Sequence, residues 1–451
     1  MRKKLIVLMD GTNNEIEQSE TNILRLFRAL KQTESQLIHY EPGIGTASTT
    51  NVQISLGSKF QDVRGSITGY GLIEDVMSAY RFICENHVSD TGAEDPNDKT
   101  AYNGDRIYIF GFSRGAYASR ILAGFLHNFG LVEPRLLHLI SPVFRAYLKL
   151  TAKADVQNKT DLFDDMEVYR GFFKPRLAPV YFLGLYDTVA SILRLRLRPI
   201  NVLKTLSFLR FQTHQSVSEN SSVEHVRHAL AIDERRSMFR PLFWKPGQNY
   251  AVNRHQYRAD VTKPQDVRQV WFPGYHADVG GSVPESGSGI AKHSFAWMKD
   301  ELDKIAQAEV DAGRDTDDWK PHLDFNMNYV NKYIFAKHAD KTNRRNQRIS
   351  APDHAAPIHN SMGFLSWSVF WRILEVLPKS LTRWEWPGRW PLFILWYPPL
   401  SEPRPIPPGD ELHPCTLERL KDSACGYNPP NLKTRRNKLY FTLRKLLNLK
   451  E

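Results

Sequence analysis

The sequence predicts an α/β fold, a mostly parallel sheet covered by helices, and three observations predict it. Short apolar runs alternate with segments of helical apolar spacing through the first half of the chain. Those runs repeatedly end in a polar residue, which is where open α/β sheets carry their chemistry. One of them leads into a serine between two glycines, followed by a small-residue helix start.

Taken in order, residues 4–9 form a first strand that Asp10 cuts off. The basic start before it resembles a signal peptide, but the apolar run is too short for one. Residues 22–31 carry Ile23, Leu26, Phe27 and Leu30 at helical spacing, and residues 72–85 do so through Leu72, Val76, Ala79, Tyr80 and Ile83. Residues 106–110 read as a buried strand and residues 116–129 as a helix, with Gly130 placed to end it. Residues 180–185 and 269–272 are two further strands, the first leading into Tyr186-Asp187 and the second into Pro273-Gly274-Tyr275-His276.

The chain has 451 residues, 41% of them hydrophobic, enough for one large core or two ordinary domains and incompatible with global disorder. Its net charge of +11 suits anionic partners such as phospholipid head groups. Cys84, Cys415 and Cys425 are too few and too unpatterned for a disulfide framework or a zinc site, which points to folding in a reducing cytosol. No stretch approaches the roughly 18 uninterrupted apolar residues of a spanning helix, so the expected location is cytoplasmic as synthesised.

The organisation expected is a catalytic core over residues 1–300, with insertions near 90–104 and 191–225, then a helical and irregular part over 301–432 packed on the same domain. A basic amphipathic tail occupies 433–451. Residues 191–210 mix arginines with leucines, residues 364–397 hold six tryptophans, and the tail places seven basic residues beside leucines. All three suit peripheral contact with an anionic membrane surface, although the tryptophans equally suit a core. Nucleic acid is not an expected partner, since only the net charge and the basic tail speak for it.

Gly111-Phe112-Ser113-Arg114-Gly115 fits the G-x-S-x-G pattern of a nucleophile on a sharp strand-to-helix turn, and this context identifies the α/β-hydrolase fold. The glycines two before and two after leave room for the turn, and Ser113 Oγ stands at the top of the sheet. Arg114, next to the serine, is a candidate oxyanion or substrate-binding residue, and the N-terminal N–H groups and dipole of the following helix suit an oxyanion. A serine hydroxyl needs a histidine to take its proton and a carboxylate to orient that histidine, in the order Ser, Asp, His for this fold. Asp187 and His276 are the candidates, each at a strand's end. An N-cap role for Asp187 and a structural bond from His276 to Asp278 are the bland alternatives. His413 is the rival base, while His228 and His293 lie on helix-like faces. The loop after strand one, with Gly11 and Thr12 held by Asp10, is the candidate second oxyanion donor. No metal site or cofactor is expected.

DGTNN at 10–14, YEPGIGT at 40–46, IYIFGFSRGAYASR at 107–120, GLYDTV at 184–189, HALAIDERRSMF at 228–239 and WFPGYHADVGGS at 271–282 together resemble an α/β-hydrolase domain family that includes phospholipase effectors of bacterial type VI secretion systems. LHP at 412–414 and YNPPNL at 427–432 extend the resemblance to about residue 432. It implies a triad on Ser113, Asp187 and His276 and a serine esterase or lipase, in particular a phospholipase working through an acyl-enzyme. Lipid or small-ester substrates, a secretion-system or immunity partner, and export by a non-classical system follow from the same resemblance. A non-lipolytic carboxylesterase or thioesterase, and a catalytically silent interaction protein on the same scaffold, are the alternatives.

Overall fold

Apolar runs rich in Ile, Val, Leu and aromatic residues build the centre of the sheet in a computed structural model of the chain. It describes residues 2–11, 19–43, 70–89, 102–153, 159–189, 193–195, 209–211, 217–252, 262–337, 342, 348–360, 372, 375–376, 379–380, 396–397 and 399–433. Seven strands, β1 (Lys4–Met9), β2 (Gln36–Glu41), β3 (Arg106–Phe112), β4 (Val180–Tyr186), β5 (Val223–Ala231), β6 (Asp266–Phe272) and β7 (Glu411–Leu412), pair in the order β7-β6-β5-β4-β3-β1-β2. Every pairing is parallel. The α/β class is therefore the one expected.

β1, β3 and β4 are buried along their whole lengths, as parallel strands covered on both faces must be. Side chains of α2 (Tyr70–Asn86), α3 (Arg114–Asn128) and α4 (Ile140–Lys153) fill one face against Leu5, Val7, Ile107, Ile109 and Leu183. Those of α1 (Asn22–Ala29) and α7 (Gly289–Asp311) fill the other, against Ile6, Leu8, Tyr108, Phe110 and Phe182. Each such side chain contributes about 1.5–3 kcal/mol by leaving water. The chain turns outward to β2 on one side of β1 and to β3 on the other. That reversal is a switch point of the kind beside whose carboxyl strand ends α/β sheets form the crevice that binds their ligands.

Polar side chains lock the face behind this crevice. The buried Asn22 amide donates to Val279 O (3.1 Å), Ala291 O (2.9 Å) and Ser294 Oγ (2.9 Å), tying α1 to α7 and to the short α6 (His276–Gly280). After α5 (Lys159–Phe173), the basic insertion shows Leu193–Leu195 paired antiparallel with Leu209–Phe211. Residues 90–101, most of the aromatic region 364–397 and the tail beyond Lys433 lie outside the described residues.

Two expectations need correction. The insertion near 191–225 overreaches, because Val223 already begins β5, the partner of both β4 and β6. His228 sits inside that strand and not on a helix face. The strand is disguised by polar residues that find partners only in the folded chain. His225 Nδ1 meets Asp266 Oδ2 at 2.8 Å, Arg227 bonds Glu301 (2.7 Å) and Asp266 (2.6 Å), and His228 Nε2 accepts from Thr188 N–H (3.1 Å). β7 adds an edge contributed by the C-terminal part, continued by α8 (Pro414–Lys421).

The crossing of α3 over β1 depends on Gly115. A Cβ there would lie 2.1 Å from Met9 O and 2.5 Å from Asp10 O, both backbone atoms that cannot swing away. Gly171, exposed on α5, has nothing within 4 Å of the corresponding position. Gly115→Ala is expected to lower stability by about 2 kcal/mol or more, and Gly171→Ala to raise it by about 0.5–1 kcal/mol. Urea denaturation midpoints measure both, and equal midpoints would show that α3 is not seated this tightly.

Candidate active site

β3 ends in a turn that few residues tolerate. Ser113 has φ 58° and ψ −119°, a strained conformation that costs on the order of 1–3 kcal/mol and persists only where the surroundings enforce it. They do so through close packing. A Cβ on Gly111 would lie 2.5 Å from Ser119 Oγ and 2.6 Å from Ala116 Cα, and Gly115 faces the ends of β1. Ser113 N–H donates to Tyr186 O (3.1 Å), fixing the turn beside the end of β4. Its hydroxyl lies at the C-terminal edge of the sheet.

His276 reaches the same point from the loop after β6. Its Nε2 is 2.8 Å from Ser113 Oγ and its Nδ1 is 2.5 Å from Asp187 Oδ2. With Asp187 ionised, Nδ1 carries the proton and the Nε2 lone pair faces the serine hydroxyl. The ring is gripped between Phe112, stacked at 4.7 Å, and Phe239, edge-on at 4.9 Å. Asp278 does not hold His276. It accepts from Tyr275 N–H (2.9 Å) and His359 N–H (3.0 Å), and lies 2.6 Å from His359 Nδ1.

Asp187 follows β4 in the left-handed region at φ 41° and donates its own N–H to Ala229 O (2.7 Å) on β5. Its carboxylate accepts from Ala231 N–H (3.0 Å) and from both terminal nitrogens of Arg404, at 2.6 and 3.0 Å. Burial alone would raise its pKa, but the Arg404 charge and the His276 hydrogen bond hold it well below the usual carboxylate range. For His276, burial draws the pKa below its usual 6.5, with the Asp187 hydrogen bond and charge offsetting this only in part. Arg236 adds to the lowering and Glu234 opposes it.

Glu234 and Arg236 form a second buried ion pair against the site. Arg236 Nε and Nη2 donate to Glu234 at 2.8 and 2.7 Å, and Glu234 also accepts His276 N–H at 3.3 Å. Burial would raise the Glu234 carboxyl, yet Arg236 brings it down to about 2. The Arg236 guanidinium lies 3.6 Å from the Phe239 ring centroid, so that ring touches both Arg236 and His276.

Ser113, His276 and Asp187 thus come together, while the other candidates fare differently. The Asp10 loop closes the end of β1, with Asp10 accepting from Thr21 Oγ (2.6 Å) and Tyr40 Oη (2.9 Å). Gly11 N–H donates to Asp10 Oδ1 (2.7 Å), a contact within the loop itself. Thr12 lies outside the described residues. Arg114 opens α3, so its amide belongs to the turn that directs N–H groups out of the helix end. Its side chain is drawn down to about 10 by burial beside Asp75, whose carboxyl burial and Glu41 push up to about 7.

His413 is placed elsewhere. It caps α8 by accepting Cys415 N–H at Nδ1 (3.2 Å) and stacks on Phe272 at 4.4 Å. His293, His413 and Cys415 bring ligand atoms within 4.8 Å of one another, the one such grouping among the described residues. The His413 lone pair it would need is already used by the helix cap.

Sequence reading missed Arg404, Glu234 and Arg236. The last two stand inside HALAIDERRSMF, a segment quoted for the resemblance without a role, and Arg404 hides among prolines.

The catalytic-domain model of the family described as T6SS, phospholipase effector Tle1-like, matches residues 3–301. The Saccharomyces cerevisiae uncharacterized protein YEL023C is 31% identical over 254 residues, 54% of this chain and 33% of that protein. The chain therefore spans about a third of that relative's length. Two solved structures are similar at low identity. An uncharacterized protein from Pseudomonas aeruginosa has 16% identity and TM-score 0.32, over 67% of this chain and 45% of that one. The Tle1 effector bound to the VgrG spike of the type VI secretion system has 17% identity and TM-score 0.30, over 64% and 53%.

The two carboxylate-bound histidines of this region should titrate on opposite sides of 6.5. His276 is lowered chiefly by burial, so it stays neutral to more acidic pH, while the Asp278 hydrogen bond raises His359. Histidine NMR titration, with His276→Gln and His359→Gln for assignment, checks this. A His276 midpoint above that of His359 would contradict it.

Proposed function

The chain belongs to the Tle1-like family of type VI secretion phospholipase effector catalytic domains, and from that premise we propose that it hydrolyses ester bonds of phospholipids through Ser113. The observation that carries the reading is the unbroken relay Ser113 Oγ, His276, Asp187, at 2.8 and 2.5 Å, on the carboxyl edge of a parallel sheet. In this reading Ser113 Oγ attacks the acyl carbonyl and His276 Nε2 takes the hydroxyl proton. The tetrahedral oxyanion is met by the N-terminal amides of α3, Arg114 among them. The ester C–O bond then breaks, His276 returns the proton to the departing lysolipid oxygen, and an acyl-Ser113 ester remains. Water, deprotonated by the same imidazole, releases the fatty acid and regenerates the hydroxyl.

Asp187 stays ionised throughout and stabilises the imidazolium. Because burial lowers His276, the base form of the relay is the form present at neutral pH. The lipid half of the proposal rests on family membership, and the serine half on the geometry.

A fluorophosphonate probe is expected to label the wild-type protein and not Ser113→Ala. Hydrolysis of phosphatidylethanolamine–phosphatidylglycerol vesicles should fall at least about a thousandfold in that variant, with near-UV circular dichroism unchanged. Equal labelling of both proteins would sink the serine assignment. Labelling and p-nitrophenyl ester turnover without release of fatty acid from vesicles would reduce the enzyme to a carboxylesterase.

A further inference from the structure

Arg404 lies 217 positions from Asp187 and beyond the stretch that the family model matches, yet it is the only cation bonded to the Asp187 carboxylate among the described residues. Both groups are buried. Arg404 Nη1 donates to Asp187 Oδ1 (2.6 Å) and to Ala231 O (2.9 Å), and Nη2 donates to Asp187 Oδ2 (3.0 Å) and to Phe239 O. One planar fork therefore joins the carboxylate, the end of β5 and the residue whose ring covers His276.

The backbone around Arg404 is fastened as firmly as its side chain. Asn431 Nδ2 donates to Arg404 O (3.1 Å) and to Ile232 O (2.9 Å), clipping the segment to the strand end that Asp187 also touches. Three residues before Arg404, Ser401 N–H donates to Glu375 (3.2 Å), which also accepts from Ser237 N–H (2.7 Å) and Oγ–H (2.8 Å). These contacts hold the guanidinium where the carboxylate needs it.

We propose that Arg404 is a positioning residue of the hydrolytic site: it fixes the Asp187 carboxylate in the orientation that engages His276 and balances its buried charge. The inference rests on the Ser113 reading above. It also means that the site is completed by chain beyond residue 301, from the segment that supplies β7.

The groups facing the Asp187–His276 pair explain why the charge matters. Glu234 and Arg236 compensate each other, and His228, drawn down to about 3 by burial and then by Arg120, stays neutral. Arg404 is what compensates Asp187. Without it the carboxylate, hydrogen-bonded to the imidazole in a buried site, either pulls a proton more strongly onto His276 or takes one itself. Both events remove the working base form, and both move the acidic limb of activity to higher pH. A purely structural role would lower the amount of active enzyme and leave the limb in place.

Three variants separate these outcomes. Arg404→Met and Arg404→Gln remove the charge, the latter keeping donors, and Arg404→Lys keeps the charge without the fork. The expected result is an acidic limb of kcat/KM shifted to higher pH in the Met and Gln proteins, with kcat at neutral pH down about tenfold or more. The Lys protein should keep the wild-type limb at reduced kcat. The His276 midpoint is read in parallel by NMR in a Ser113→Ala background, with and without Arg404→Gln. Nothing is hydrolysed there, so this arm stands even if the Ser113 reading fails. An unmoved limb and midpoint in a folded Gln protein, or a Lys limb displaced as far as the Gln one, would overturn the proposal.

Discussion

The buried carboxylate of Asp187 is the group around which the rest of this structure is arranged. A charge out of water is tolerated only where hydrogen bonds and opposite charge replace its hydration. Asp187 obtains these from Ala231 N–H, His276 and Arg404. Each donor belongs to a different part of the chain. Satisfying one carboxylate therefore requires β4, β5, the loop after β6 and the segment around Arg404 to close on one point. Removing the carboxylate would leave Arg404 as an unpaired buried cation, a costlier defect than the loss of an ordinary hydrogen bond.

The strained serine turn is the complementary constraint. Ser113 occupies an unfavourable region of backbone space, and its flanking glycines are crowded by backbone atoms of β1 and α3 together with Ser119 Oγ. Its strain is offset by the fully buried strands on either side, β1 and β4. Ser113 is thus held at the carboxyl edge of the sheet by a closely packed turn. The loop before His276 is braced by Asp233, which accepts Gly274 N–H (2.6 Å) and Tyr427 Oη–H (2.8 Å).

Much of this was legible in the residues. Gly111, Ser113 and Gly115 state a steric requirement that few other turns impose, and Asp187 and His276 follow strands that apolar content alone reveals. β5 was not legible, because His225, Arg227 and His228 read as polar until Asp266, Glu301 and Thr188 are set against them. Arg404 was hidden for a related reason. A cation among prolines looks like solvated linker, and its partner stands 217 positions away. Local pattern reports what a side chain prefers on average, whereas an ion pair is a property of the fold. Gly11 shows the same limit from the other side: loop composition suggests a donor to substrate, whereas the amide's bond to Asp10 Oδ1 is a contact only the folded loop reveals.

His276 and His413 show how differently one fold can treat two buried histidines, the proposed base and a helix-capping one. Burial lowers both, and both rings stack on a phenylalanine. His413 sits beside His293 and in the fields of Arg268 and Lys304, which add to the lowering and bring it to about 3. An imidazole that weakly basic has little power to remove a serine proton, and its Nδ1 already serves the cap of α8. His276 has the Asp187 carboxylate on one nitrogen, which restores part of the basicity that burial removes and leaves the other nitrogen facing Ser113 Oγ. Hydrophobic enclosure alone makes a histidine inert. Enclosure together with one compensated carboxylate gives it what the proposed base needs, one nitrogen held and the other aimed in a single direction.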